Sequence, residues 1–126
     1  MEKAVELFAL VHFAVMGFSH LIAPRAWVRY FQWLREKGEP GIFVVAFMTL
    51  WFGSVIAAFH NVWTGPAAVL TFIGWAQVFK GALYFIFPQV GLKMIGRVTA
   101  DRAHQFVWGG AVSLAIAAFL GWLWLR

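Results

Sequence analysis

Four long apolar stretches, Ala4 to Ile22, Ile42 to Trp63, Ala67 to Pro88 and Ala103 to Leu125, dominate this chain. Each is close to the length that crosses a bilayer, because a helix rising 1.5 Å per residue needs about 20 residues for a hydrocarbon core about 30 Å thick. Only helices and closed barrels satisfy every backbone group in such a medium, and these runs are continuous in Leu, Ala, Phe and Val rather than alternating as barrel strands do. The predicted fold is therefore all-α, an integral membrane four-helix bundle forming a single domain over residues 1–126.

Composition closes the soluble alternative. Of 126 residues, 63% are hydrophobic and 12% charged, against about 45–50% apolar and about 25% charged in soluble domains. A globule this small would expose apolar patches far beyond what soluble monomers tolerate. The absence of Cys removes disulfides, thiolate nucleophiles and Cys-ligated metals. A net charge of +5 would suggest nucleic acid in a soluble protein. Here the cations flank apolar segments, so anionic lipid headgroups are the expected partner and nucleic acid is not.

Those cations also set the expected orientation. The connection from Ala23 to Gly41 carries Arg25, Arg29, Arg35 and Lys37, and that from Gln89 to Arg102 carries Lys93, Arg97 and Arg102, whereas the other side has only Lys3 and Arg126. Seven against two predicts loops 23–41 and 89–102 in the cytoplasm of a bacterial inner membrane, with both termini and the turn Asn61 to Pro66 outside. The segment Glu2-Lys3-Ala4-Val5-Glu6 lacks the basic start of a signal peptide, so the first stretch is expected to remain as a span.

The first loop has its own pattern. Pro24 opens a segment in which Trp27, Tyr30, Phe31 and Leu34 recur at helical spacing, with Arg25, Arg29 and Arg35 on other sides and Trp33 adding an aromatic anchor. This predicts an interfacial amphipathic helix over residues 24–37. Gly38-Glu39-Pro40-Gly41 then breaks it.

The two halves of the chain correspond. Gly17 to Pro24 (GFSHLIAP) aligns with Gly81 to Pro88 (GALYFIFP) at an offset of 64, with Ile22 against Ile86 and Arg29 against Lys93. Trp51-Phe52-Gly53 and Trp108-Gly109-Gly110 sit at comparable depths. The pattern predicts duplication of a two-helix unit, parallel because each unit contains an even number of spans. With its Gly, its Pro seven residues on, an aromatic-basic stretch and a Gly-rich second helix, this unit resembles the small inner-membrane proteins of the YjeT-like family. His60-Asn61-Val62-Trp63, with Gly74-Trp75 and Lys80-Gly81 leading to Pro88, is similar to a pattern in other small bacterial membrane proteins. Both resemblances imply a bacterial inner-membrane protein, and neither implies an activity.

Small residues at every fourth position mark packing faces: Thr49, Gly53, Ala57 and Asn61 on the second span, and Gly109, Ser113, Ala117 and Gly121 on the fourth. Polar residues at membrane depth mark candidate sites. Lys80 lies about 12 Å inside the cytoplasmic end of the third span, where a charge costs about 2.5–3.5 kcal/mol. Thr71, Gly74, Gln77, Gly81 and Tyr84 form a stripe beside it. Either Lys80 snorkels to phosphate, or Lys80, Gln77, Tyr84, His20 and His104 line a cytoplasm-facing cavity for an anionic headgroup, a quinone or a small acid.

His20 and His104 share a depth, as a bis-His haem requires, yet two imidazoles beside water make a poor haem or zinc site, so no cofactor or metal is expected. His12 falls near mid-membrane, His60 belongs to a capped turn, and Glu6 reads as an interfacial acid. No complete catalytic motif is present, so an enzyme is not the leading expectation. The leading function is association, as an accessory or assembly subunit of a membrane complex or as a homo-oligomer. A small-molecule or lipid binder or transporter built around Lys80 is the alternative, and a haem- or metal-binding membrane protein ranks third.

Overall fold

A computed structural model describes residues 1–126 and contains six α-helices, one 3-10 turn and no strand. The helices are α1 (Glu2–Ile22), α2 (Pro24–Glu36), α3 (Glu39–Phe59), α4 (Ala68–Ile86), α5 (Pro88–Ile95) and α6 (His104–Leu125), with the 3-10 turn at Ala100–Arg102. Helices α1, α3, α4 and α6 are long and apolar enough to cross a membrane, the mark of an integral membrane protein. Only 22–28% of the most apolar window of each is buried within the chain. The remaining apolar surface faces outward, which is stable in hydrocarbon and would not be in water.

The helix boundaries have local causes. Pro24 and Pro88 each open a short helix, where their missing N–H costs nothing. The residues before them, Ala23 and Phe87, leave the helical region, as the following proline ring demands. Gly38, at φ 67°, makes the reversal between α2 and α3 that a residue with a Cβ would resist.

The second span ends at Phe59 rather than Trp63, and the reason is a side chain on the next helix. The Thr71 hydroxyl donates to the His60 carbonyl at 3.0 Å and accepts the Val62 N–H at 3.0 Å. It supplies partners that a further helical turn would otherwise provide. Asn61, expected on the packing ladder, therefore lies beyond the helix. Its Oδ1 accepts hydrogen bonds from the indoles of Trp63 and Trp75, at 3.0 and 3.1 Å.

The spans pack as two antiparallel pairs. α3 lies against α4 along its length and α1 against α6, while α1 and α3 touch only locally. One apolar core, containing Val5, Ala9, Ile56, Leu70 and Leu120, joins the pairs at the end that carries the termini. A second, containing Leu34, Ile42, Ala46, Tyr84 and Ile95, joins α2 and α5 to the α3–α4 pair at the loop end. Helix α2 touches α1, α3, α5 and α6, burying Val28 and Leu34 and leaving Arg25, Arg29 and Arg35 exposed.

Candidate functional site

Between the two cores the pairs separate, and a cavity of about 480 Å³ opens there. His12 and Phe13 of α1, Thr49 and Phe52 of α3, and Gln77 of α4 line it, and α2 covers one end with Trp27, Tyr30 and Phe31. His12, Thr49 and Gln77 each occupy the middle of a span. The His12 imidazole stacks on Phe52 at 4.0 Å, and Phe13 meets the same ring edge-on at 5.7 Å. None of the side-chain hydrogen bonds in the chain involves His12, Thr49 or Gln77. At the rim Met48, midway along α3, is 60% exposed, so the cavity is open on the flank of the bundle.

The polar set expected from the sequence is distributed over several places. Gln77 reaches the cavity, while Lys80, Tyr84, His20 and His104 are not among its walls. Lys80 is exposed on the outside of α4, with its Nζ 5.7 Å from the Tyr84 ring centre. No carboxylate pairs with Lys80. Tyr84 itself is buried in the loop-end core. His20 donates from Nδ1 to the Met16 carbonyl at 2.6 Å and stacks on Trp27 at 4.4 Å. Trp27 in turn donates to the Ser19 hydroxyl at 2.8 Å. These contacts fix His20 as a brace between α1 and α2 rather than as a free ligand. His104 is exposed at the first residue of α6, and no three His, Asp or Glu side chains gather to hold a metal ion.

A second polar group lies at the terminal end. Glu6 is 4% exposed, and His60 and Thr71 are fully buried. The expected interfacial Glu6 is thus an interior residue, because α3, α4 and the end of α6 close over the first turns of α1. His60 Nδ1 lies 3.2 Å from the Thr71 hydroxyl, and His60 Nε2 lies 3.4 Å from Glu6 Oε1. Lys3 approaches Glu6 Oε2 at 3.4 Å, close enough for the charges to attract but not aligned as a hydrogen bond. The same ammonium donates to the Leu123 and Trp124 carbonyls, at 2.8 and 3.2 Å, and so caps the last turn of α6. Four helices are joined by this cluster. The sequence did carry a signal for it, since a Glu one turn into one span and a His and a Thr flanking one hairpin share a depth, but the pairing of helices is needed to bring them together.

The packing residues divide as well. A Cβ on Gly53 would meet the α4 backbone at Val78 N (2.6 Å) and Gly74 O (2.7 Å). One on Gly109 would meet nothing within 4 Å. Ala117 is buried, Ser113, Gly121 and Ala57 are half-buried, and Thr49 faces the cavity. Compared with models of known protein families, with curated proteins and with solved structures, the chain matches none of them.

Proposed function

We propose that the chain is a membrane-embedded binder of a small lipid-soluble molecule, which it takes from the bilayer into the cleft between the α1–α6 and α3–α4 pairs. The meeting of His12, Thr49 and Gln77 on one cavity carries this reading. Polar groups without partners in hydrocarbon cost about 2–7 kcal/mol each, and a bundle selected only for packing would place Leu or Ala there. A ligand that supplies the partners removes that cost. The cavity volume of about 480 Å³ lies in the range of ordinary ligand sites, about 300–1,000 Å³.

The association reading keeps less support. Gly53 and Ala117, on the small-residue packing faces, make their contacts inside the chain and so offer nothing to a partner. Lys80, exposed beside Tyr84, fits the snorkelling role.

The decisive comparison uses protein purified in mild detergent from its own membranes, with mass spectrometry of the small molecules retained. The triple variant His12→Leu, Thr49→Val, Gln77→Leu is expected to fold and to lose a retained molecule that the parent keeps. Lys80→Met, outside the cleft, is expected to keep it. Equal retention by the triple variant would defeat the reading.

In this reading the membrane is the bacterial inner membrane, α2 lies in its cytoplasmic interface, and both termini are outside, on the strength of the seven basic loop residues. A carboxyl-terminal tag reached only from inside intact cells would invert that orientation. The halves are read as duplicates. The turns before Pro24 and Pro88 support this, since Ala23 and Phe87 have φ −127° and −125°, and each donates its N–H four residues back at 2.8 Å. So does the pairing, because the first span of each half packs on the second span of the other, α1 on α6 and α4 on α3. A rotation exchanging the halves would carry one pair onto the other.

A further inference from the structure

We infer that the molecule held in this cleft is a neutral flat ring bearing oxygen substituents and an apolar tail, the chemistry of a quinone or its quinol. The inference rests on the cleft reading above and adds the class of ligand.

Charge decides first. No Lys, Arg, Asp or Glu lines the cavity. A phosphate or carboxylate drawn into it would lie at membrane depth without a counterion, and burying an ion without a partner costs more than hydrogen bonds alone return. Phospholipid headgroups and small acids are therefore poor occupants.

Shape decides next. The His12 ring stacks on Phe52 at 4.0 Å, Phe13 lies nearly perpendicular to Phe52, and Trp27, Tyr30 and Phe31 line the same cavity from α2. Flat, rigid walls of this kind favour a planar guest, which gains offset-stacked and edge contacts that a flexible acyl chain does not.

Hydrogen-bonding capacity decides last. An imidazole, an amide and a hydroxyl can each donate to a ring carbonyl and accept from a ring hydroxyl, so His12, Gln77 and Thr49 match both the oxidised and the reduced ring. A purely aliphatic occupant would leave all of them unused. The tail has an exit at the exposed rim beside Met48.

The four methionines give a test that reads position as well as binding. Met16 and Met48 line the cavity, while Met1 and Met94 are exposed elsewhere. Full-length protein carrying 13C-methyl methionine, in phosphatidylcholine nanodiscs, is titrated with a decyl-substituted benzoquinone, with dodecanol and with dioleoylphosphatidylglycerol. The quinone is expected to shift the Met16 and Met48 methyls saturably, leave Met1 and Met94 in place, and bind at least about tenfold tighter than either control. If dodecanol or phosphatidylglycerol shifts Met16 and Met48 at equal or lower concentration, the cleft binds lipid but the ring assignment is overturned. If no probe moves them, the ring assignment and the binding role both fall.

Discussion

Replacing His60 by Ala is expected to cost about 3 kcal/mol of folding stability, the upper end for leaving a buried hydrogen-bond partner unsatisfied, because the loss strands two partners at once. His60 is fully buried and its ring touches Thr71 on one side and Glu6 on the other. The Thr71 hydroxyl has one hydrogen, and the 3.0 Å bond to the His60 carbonyl uses it. The Nδ1 contact is then His60 donating to Thr71, and a proton must lie between Nε2 and Glu6 for that contact to attract. Deleting the imidazole strands the buried Glu6 carboxyl group, with Lys3 as its remaining neighbour. The double variant Glu6→Ala, His60→Ala should lose less than the sum of the single variants, because the second deletion removes the stranded carboxyl group. Unfolding in mixed micelles measures each. A His60→Ala cost below about 1 kcal/mol would show that water reaches the cluster and satisfies what the imidazole leaves.

The spans were legible because length and apolarity are properties of one stretch at a time. Proline at the head of α2 was equally local, whereas Pro88, expected to end the third span, opens α5 inside the stretch expected to be a loop. What the sequence could not place were features that depend on which helices pair. In sequence Thr71, Gly74, Gln77, Gly81 and Tyr84 read as one polar stripe along the third span. In the fold each member meets something different: Thr71 ends α3, Gly74 and Gly81 seat Ile56 and Leu50, Gln77 lines the cleft and Tyr84 joins the loop-end core. Helical periodicity gives a direction, and the direction acquires meaning only from the neighbour standing there. His12 and Glu6 show the same gap from the other side. Each was a lone polar residue on α1 until α3 and α4 brought Gln77 to one and His60 to the other.

Gly53→Leu is expected to cost about 3 kcal/mol, the upper end for overpacking, because what it displaces cannot yield. A side chain that strikes the tip of another can be absorbed by a change of rotamer. Here the added carbon would lie 2.6 Å from Val78 N and 2.7 Å from Gly74 O, which are main-chain atoms of α4, so relief requires moving the helix. In hydrocarbon, where no hydrophobic effect draws helices together, close main-chain approach is itself the attraction, and widening the gap forfeits it. Gly109→Ala is the matched control. It has open space around it and removes a mid-helix glycine, so it should be neutral or stabilising by up to about 1 kcal/mol. The same Cβ at Gly53 would also come within 2.8 Å of Gln77 Cβ, so the α3–α4 contact that fixes stability also aims Gln77 into the cleft. Gly53→Leu should therefore weaken quinone-induced shifts at Met48 together with unfolding resistance, whereas His60→Ala, acting at the terminal end, should lower stability and leave those shifts in place in the folded fraction. If both variants changed the two quantities in the same proportion, the cleft and the terminal cluster would be parts of one cooperative unit rather than separate devices held by separate contacts.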